Sequence, residues 1–66
     1  MFPEDYMIDP YREGYLSAER DYEDGADPAA MLLLADALHE INADDRERER
    51  YYRGRVDYCQ GVLQSR

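Results

Sequence analysis

Asp9-Pro10 and Asp27-Pro28 mark two helix starts, and Gly25 falls just before the second. An aspartate ahead of proline can accept a backbone N–H as N-cap, while the proline at the first helical position gives up a donor that had no partner anyway. Glycine takes the left-handed conformation that ends a helix without steric penalty. These marks predict a first helix over about 10–24 and a second that begins at 28 after a tight connection. Within the first, Tyr11, Tyr15, Ala18 and Tyr22 recur at i, i+4, i+7 and i+11, which is one narrow helical face. Gly14 lies at the edge of that stripe, where a missing side chain lets another helix approach.

From Ala29 to Ile41 the chain is apolar on nearly every side, with Met31, Leu34, Leu38 and Ile41 as one seam and Ala30, Leu33 and Ala37 as another. Such a helix, over 28–41, is expected at the centre of the fold. Asn42 to Asp45 break the pattern. Asp44 with Glu47 three residues on resembles a capping box, so a third helix is expected over about 44–63. Because "INADDRER" holds no Gly or Pro, nothing there prevents helices two and three from running on as one rod. Asp44 with Arg48 and Glu49 with Arg53 are acid-before-base pairs at i, i+4. Tyr52, Val56, Cys59 and Leu63 make one apolar row on the third helix and Tyr51, Tyr58 and Val62 a second, with Gly54 and Gly61 seven residues apart. Two rows exceed what one neighbour can cover, so part of that surface is expected to meet another protein. No strand pattern is present. The expectation is an all-α chain, a small three-helix bundle forming one domain over 1–66, with 1–9 as an extended or disordered N-terminal arm carrying Phe2, Tyr6, Met7 and Ile8.

Sixty-six residues bury too little surface for a wide margin of stability, which makes a partner or a second copy plausible from the start. Cys59 is the only cysteine, so no disulfide staples the fold within one chain, and an unpaired thiol fits a reducing, intracellular setting. The segment "MFPEDYMIDP" lacks the basic and apolar regions of a signal peptide. The longest apolar run, "PAAMLLLADAL", contains Asp36 and falls well short of the roughly 20 residues that span a bilayer. A soluble protein is expected, in the cytoplasm.

Charge is distributed in two blocks. Residues 1–45 carry thirteen acids against two arginines and residues 46–66 three acids against six arginines, so the net −8 divides into −11 and +3. Five of the eight arginines fall in "NADDRERERYYRGR", residues 42–55, and the chain has no lysine. The arginine block can compensate the acidic helices within one molecule or between symmetry-related copies. A surface as negative as that of the first two helices repels nucleic acid, whose binding needs basic contacts. It suits the electropositive groove of a protein that itself holds nucleic acid. Glu13, Glu19, Asp21, Glu23, Asp24 and Asp27 lie off the tyrosine stripe or at the turn and are the candidate partner-binding residues.

In size, acidity and lack of a catalytic signature the chain resembles, as a class and without a shared motif, the small anti-defence proteins of bacteriophages, the anti-CRISPR and anti-restriction inhibitors. That resemblance implies a nucleic-acid mimic that occupies the channel of a defence complex in the cytoplasm of a bacterial host cell.

Other features resolve to bland readings. A tyrosine stripe at helical spacing is ordinarily core with phenol tips at water, although tyrosine is also an interface anchor. His39, three residues after Asp36 and beside Glu40, faintly matches a carboxylate-x-x-histidine metal pair, but the chain has no second histidine to complete a di-metal set. "DYEDGAD" fails as a calcium loop, since counting from Asp21 the glycine falls at position five and Leu32 at position twelve, where a glutamate is required. Cys59 sits on an apolar stripe and reads as an inert core thiol. Ser17 and Ser65 have no neighbouring base, and no metal or cofactor site and no enzyme is expected. Two functions follow from the sequence. One is a non-catalytic inhibitor that blocks nucleic acid access to a host protein through its acidic helices. The other is a homodimeric adaptor or regulator that pairs through Tyr51, Tyr58, Val62 and Leu63 of its third helix.

Overall fold

Asp9 caps the first helix: its carboxylate accepts the Tyr11 N–H at 3.1 Å and Pro10 opens the first turn. The structure, a computed structural model, describes residues 9–65. The expected arm therefore lies outside the described residues except for Asp9. Helix α1 spans Pro10–Glu23 and ends in a Schellman turn. Gly25, at φ +106°, donates to the Tyr22 carbonyl and Ala26 donates to the Asp21 carbonyl, both at 3.0 Å. Two residues later Asp27 caps α2, Pro28–Ile41, by accepting the Ala29 N–H at 3.3 Å.

Helices two and three are separate. Asn42 leaves the helical region at ψ 22°, and its side-chain amide donates to the Leu38 carbonyl at 2.8 Å, which closes α2. Helix α3 then spans Arg46–Gln64. Its N-cap is Asp45, accepting the Arg48 N–H at 3.2 Å, which corrects the expected Asp44 start. Two consecutive aspartates offer the same chemistry, and the one with extended backbone wins the cap. For the same reason Arg48 pairs with Asp45 at 3.7 Å and not with Asp44, whereas Glu49 and Arg53 form the expected i, i+4 pair at 2.7 Å.

The central element is α3, not α2. Both α1 and α2 pack along it, and they scarcely meet one another. The expectation that α2 is central rested on its apolarity, but Leu33, Leu34 and Ile41 are 76%, 62% and 75% exposed. What lies inside is small: Ala18 of α1 (0% exposed), Ala35 of α2 (2%) and Cys59 of α3 (0%). Small side chains permit close helix approach, and the closest is between α1 and α3. A Cβ on Gly14 would collide with the Tyr51 carbonyl, and a Cβ on Gly54 with the Tyr11 carbonyl and the Tyr15 nitrogen. The two helices meet backbone to backbone at two reciprocal glycines. Tyr51 and Tyr58 of one apolar row of α3 face α1, while Val56 of the other lies at the His39 end of α2 beside Glu49 and Arg53.

The glycines give a sharp contrast. Gly14→Ala and Gly54→Ala should each destabilise by about 1–3 kcal/mol, because the obstacle is backbone and cannot swing away. Gly61, with nothing within 4 Å of its would-be Cβ, should tolerate alanine with a gain of up to about 1 kcal/mol from helix propensity. Urea denaturation of the three variants reads both signs. Equal effects at Gly54 and Gly61 would rule out the close crossing.

Candidate interaction surface

Two of the five arginines of the 42–55 block, Arg50 and Arg55, reach across to α1, while Arg48 and Arg53 pair with acids of their own segment. Arg55 donates to Ser17 Oγ and to the Asp21 carboxylate of α1, each at 2.9 Å, and the Tyr51 hydroxyl donates to the same Ser17 oxygen at 3.2 Å. Arg50 donates to the Asp9 carboxylate at 3.1 Å and so fastens the start of α1. Toward α2, His39 Nε2 donates to Glu49 at 2.7 Å, and Arg53 holds the same carboxylate at 2.7 Å. The Tyr11 hydroxyl donates to Asp57 at 2.5 Å. These pairs lie near the surface, where solvent screening leaves each of them weak. Their main effect is to select one register of α1 and α2 on α3.

The carboxylates left over define the acidic surface. Among the six candidate residues, Asp21 is engaged by Arg55 and Asp27 caps α2. Glu13, Glu23 and Asp24 are exposed and Glu19 is half-buried, and none of these four takes part in an ion pair among the described residues. Glu19 and Glu23 border the Tyr58 ring: burial, and then those two carboxylates, push its phenol up from its ordinary value. The acidic face of α1 is therefore broad, with Glu19 and Glu23 on one side, Glu13 and the Asp24 turn roughly 100° round the helix from them, and the exposed Arg12 and Arg20 among them.

The tyrosines line the rim of the α1/α3 contact. Tyr58 packs edge-on against Tyr15 and Tyr22, with ring centroids 5.2 and 6.2 Å apart, and Tyr51 against Tyr52 at 5.1 Å. Tyr15 and Tyr22 remain more than a third exposed, as rings with polar tips can. The structure thus sets Tyr51 and Tyr58 of the candidate α3 interface against α1, while Val62 and Leu63 are half-buried near the end of α3. Cys59 is fully enclosed, and burial raises its thiol above the ordinary value despite Arg55 nearby. Among the described residues no three His, Cys, Asp or Glu side chains converge as metal ligands, and no helix is long and apolar enough to cross a membrane.

One surface escaped the sequence reading. The outer face of α2 bears Ala30, Leu33, Leu34, Ala37 and Ile41, all exposed. Their i, i+3, i+4, i+7, i+11 spacing was legible, but it pointed to the core because α2 was expected to be central.

Two measurements follow. Cys59 should react with a thiol reagent at least about a hundredfold more slowly in the native protein than in denaturant; comparable rates would contradict its enclosure. The hydrogen bond from His39 holds Glu49 below the usual carboxylate range, and the bond from Arg50 does the same for Asp9. A carboxylate depressed in the folded state contributes stability above its unfolded pKa and loses it as pH falls through the folded value. Stability should therefore decline from about pH 5 downward, with a shallower decline in Glu49→Gln, as read from denaturation midpoints across that range.

Comparison with protein-family models, with curated proteins and with solved structures finds no match, so the functional reading rests on the chain's own chemistry.

Proposed function

We propose that this protein is a non-catalytic inhibitor that lays the acidic face of α1 into the basic, nucleic-acid-binding groove of a protein partner and so denies nucleic acid its place. The observation that carries this reading is the asymmetry of charge use. Arginines of α3 are spent on Asp9, Asp21, Asp45 and Glu49, while Glu13, Glu19, Glu23 and Asp24 stay outside every ion pair among the described residues. A helix rises about 1.5 Å per residue, so these carboxylates recur at intervals of several ångströms over one half of α1, where they outnumber the two exposed arginines, Arg12 and Arg20, that lie among them. Such a surface gains most where a groove focuses positive potential. The class of partner that fits is a defence complex of a bacterial host, met in the cytoplasm, and the mechanism is steric and electrostatic competition without bond making or breaking.

A homodimeric adaptor built on α3 is the alternative. Support for it comes from the half-exposed Val62 and Leu63; Tyr58→Asp, which abolishes such a dimer, also disturbs the Tyr15 and Tyr22 contacts.

The inhibitor reading is tested with the protein immobilised in a lysate of defence-competent bacteria. A captured nucleic-acid-binding complex should be released by added DNA or RNA, and its affinity should fall about tenfold or more between low and high salt. The triple reversal Glu19→Lys, Glu23→Lys, Asp24→Lys should abolish capture while leaving helical content unchanged. Capture that survives the reversal, or release indifferent to nucleic acid and salt, would overturn the proposal.

A further inference from the structure

The outer face of α2 is an apolar stripe on a chain with little apolar surface to spare. At 100° per residue, Ala30, Leu33, Leu34, Ala37 and Ile41 fall within about 100° of arc, and the three large ones are the most exposed aliphatic side chains among the described residues. We infer that this stripe is a self-complementary docking face, and that a second copy of the chain covers it in an antiparallel α2–α2 pair.

Size pattern is the first argument for a second copy. Turned antiparallel about a two-fold at the level of Ala35 and Asp36, α2 sets Ala30 of one copy opposite Ile41 of the other. Leu33 and Leu34 then straddle the partner's Ala37. Each large side chain meets a small one, as interdigitated helix packing needs, and the match repeats on both sides of the axis, as an isologous contact requires. A parallel pair would set Ile41 on Ile41 and leave Ala30 facing Ala30.

Charge is the second argument. The five stripe residues are uncharged, and α2 holds only two of the chain's sixteen acids, Asp36 and Glu40. Both lie beyond the Leu33 edge of the stripe; in the antiparallel pair the two copies of Glu40 sit about 14 Å apart along the axis, while the two copies of Asp36 flank the two-fold at nearly the same level, outside the apolar contact. For a chain of net −8 this is a face where two copies can meet with little repulsion.

Area sets the strength. A specific interface needs about 500 Å² from each partner, a tenth of the 4904 Å² of accessible surface. The stripe is one face of a fourteen-residue helix, so the expected interface is small and the expected dimer weak and reversible.

The test is sedimentation equilibrium of the full chain from about 1 µM to about 1 mM. The expected result is a monomer–dimer equilibrium that Leu34→Asp and Ile41→Asp each weaken at least tenfold, with unchanged circular dichroism because both sites are on the surface. Orientation is read by oxidation: the double variant Ala30→Cys, Ile41→Cys should give a disulfide-linked dimer, while Ala30→Cys alone should not, and enclosed Cys59 stays silent. A monomer throughout the range, a dimer indifferent to Leu34→Asp, or cross-linking by Ala30→Cys alone would overturn the inference. So would nuclear Overhauser contacts in a monomer from Leu33, Leu34 or Ile41 to Phe2 or Ile8, which would assign the face to the chain's own first residues.

Discussion

The backbone contact between α1 and α3 governs the rest of the molecule. Gly14 sits on the Tyr51 carbonyl and Gly54 on the first turns of α1, so the crossing has no room for a side chain at either glycine. Large groups are forced to the rim. That placement suits the tyrosines of α1 and α3. A ring at the edge of a tight helix pair is apolar on one side and wet at its tip, and a phenol satisfies both conditions where a phenyl ring would leave its end bare. Tyr11 finds Asp57, Tyr51 finds Ser17, and Tyr58 lies between Tyr15 and Tyr22.

With the α1/α3 distance set by glycine, charge sets the register. Arg50 and Arg55 of α3 reach Asp9 and Asp21, which are twelve residues apart on the first helix and cap. A slide of α1 by one turn would break both pairs and lift Gly14 off Tyr51 together. Individually the pairs are weak. Jointly with a steric contact that tolerates no displacement, they make alternative registers unfavourable. Arg50 and Arg55 of the arginine cluster thus have a structural role, and Glu13, Glu19, Glu23 and Asp24 lie outside every ion pair among the described residues.

Helix ends were legible because capping chemistry is local: Asp-Pro, Gly25 and Asn42 act through bonds spanning two to five residues. Gly14 was legible as a point of close approach because it borders an aromatic stripe. The order of packing was not. Hydrophobicity ranks α2 as the most deeply buried helix, but depth here follows side-chain size, and it is Gly54 and Cys59 that draw α3 between its neighbours. Likewise the choice of Asp45 over Asp44 as N-cap turns on one ψ angle, which two adjacent identical residues do not reveal. Of the six acids on the candidate face, sequence alone could not separate those consumed within the fold, Asp21 and Asp27, from those left free.

The exposed stripe of α2 and the acidic face of α1 bear on one another. A chain this short gains little from a core of alanine, glycine and cysteine, and leaving Leu33, Leu34 and Ile41 in water forgoes burial worth about 1.5–3 kcal/mol for each such side chain. Pairing through α2 recovers part of that, and it does so on a helix that scarcely meets α1. Glu13, Glu19 and Glu23 lie on α1, outside the paired stripe, and the proposed assembly presents two copies of them. On the proposed function, two linked acidic faces would bind a long basic groove with an effective concentration that neither face has alone. Self-association and electrostatic mimicry would therefore reinforce each other, with α2 supplying the copy number, α1 the charge, and α3 the rigid spacing between them.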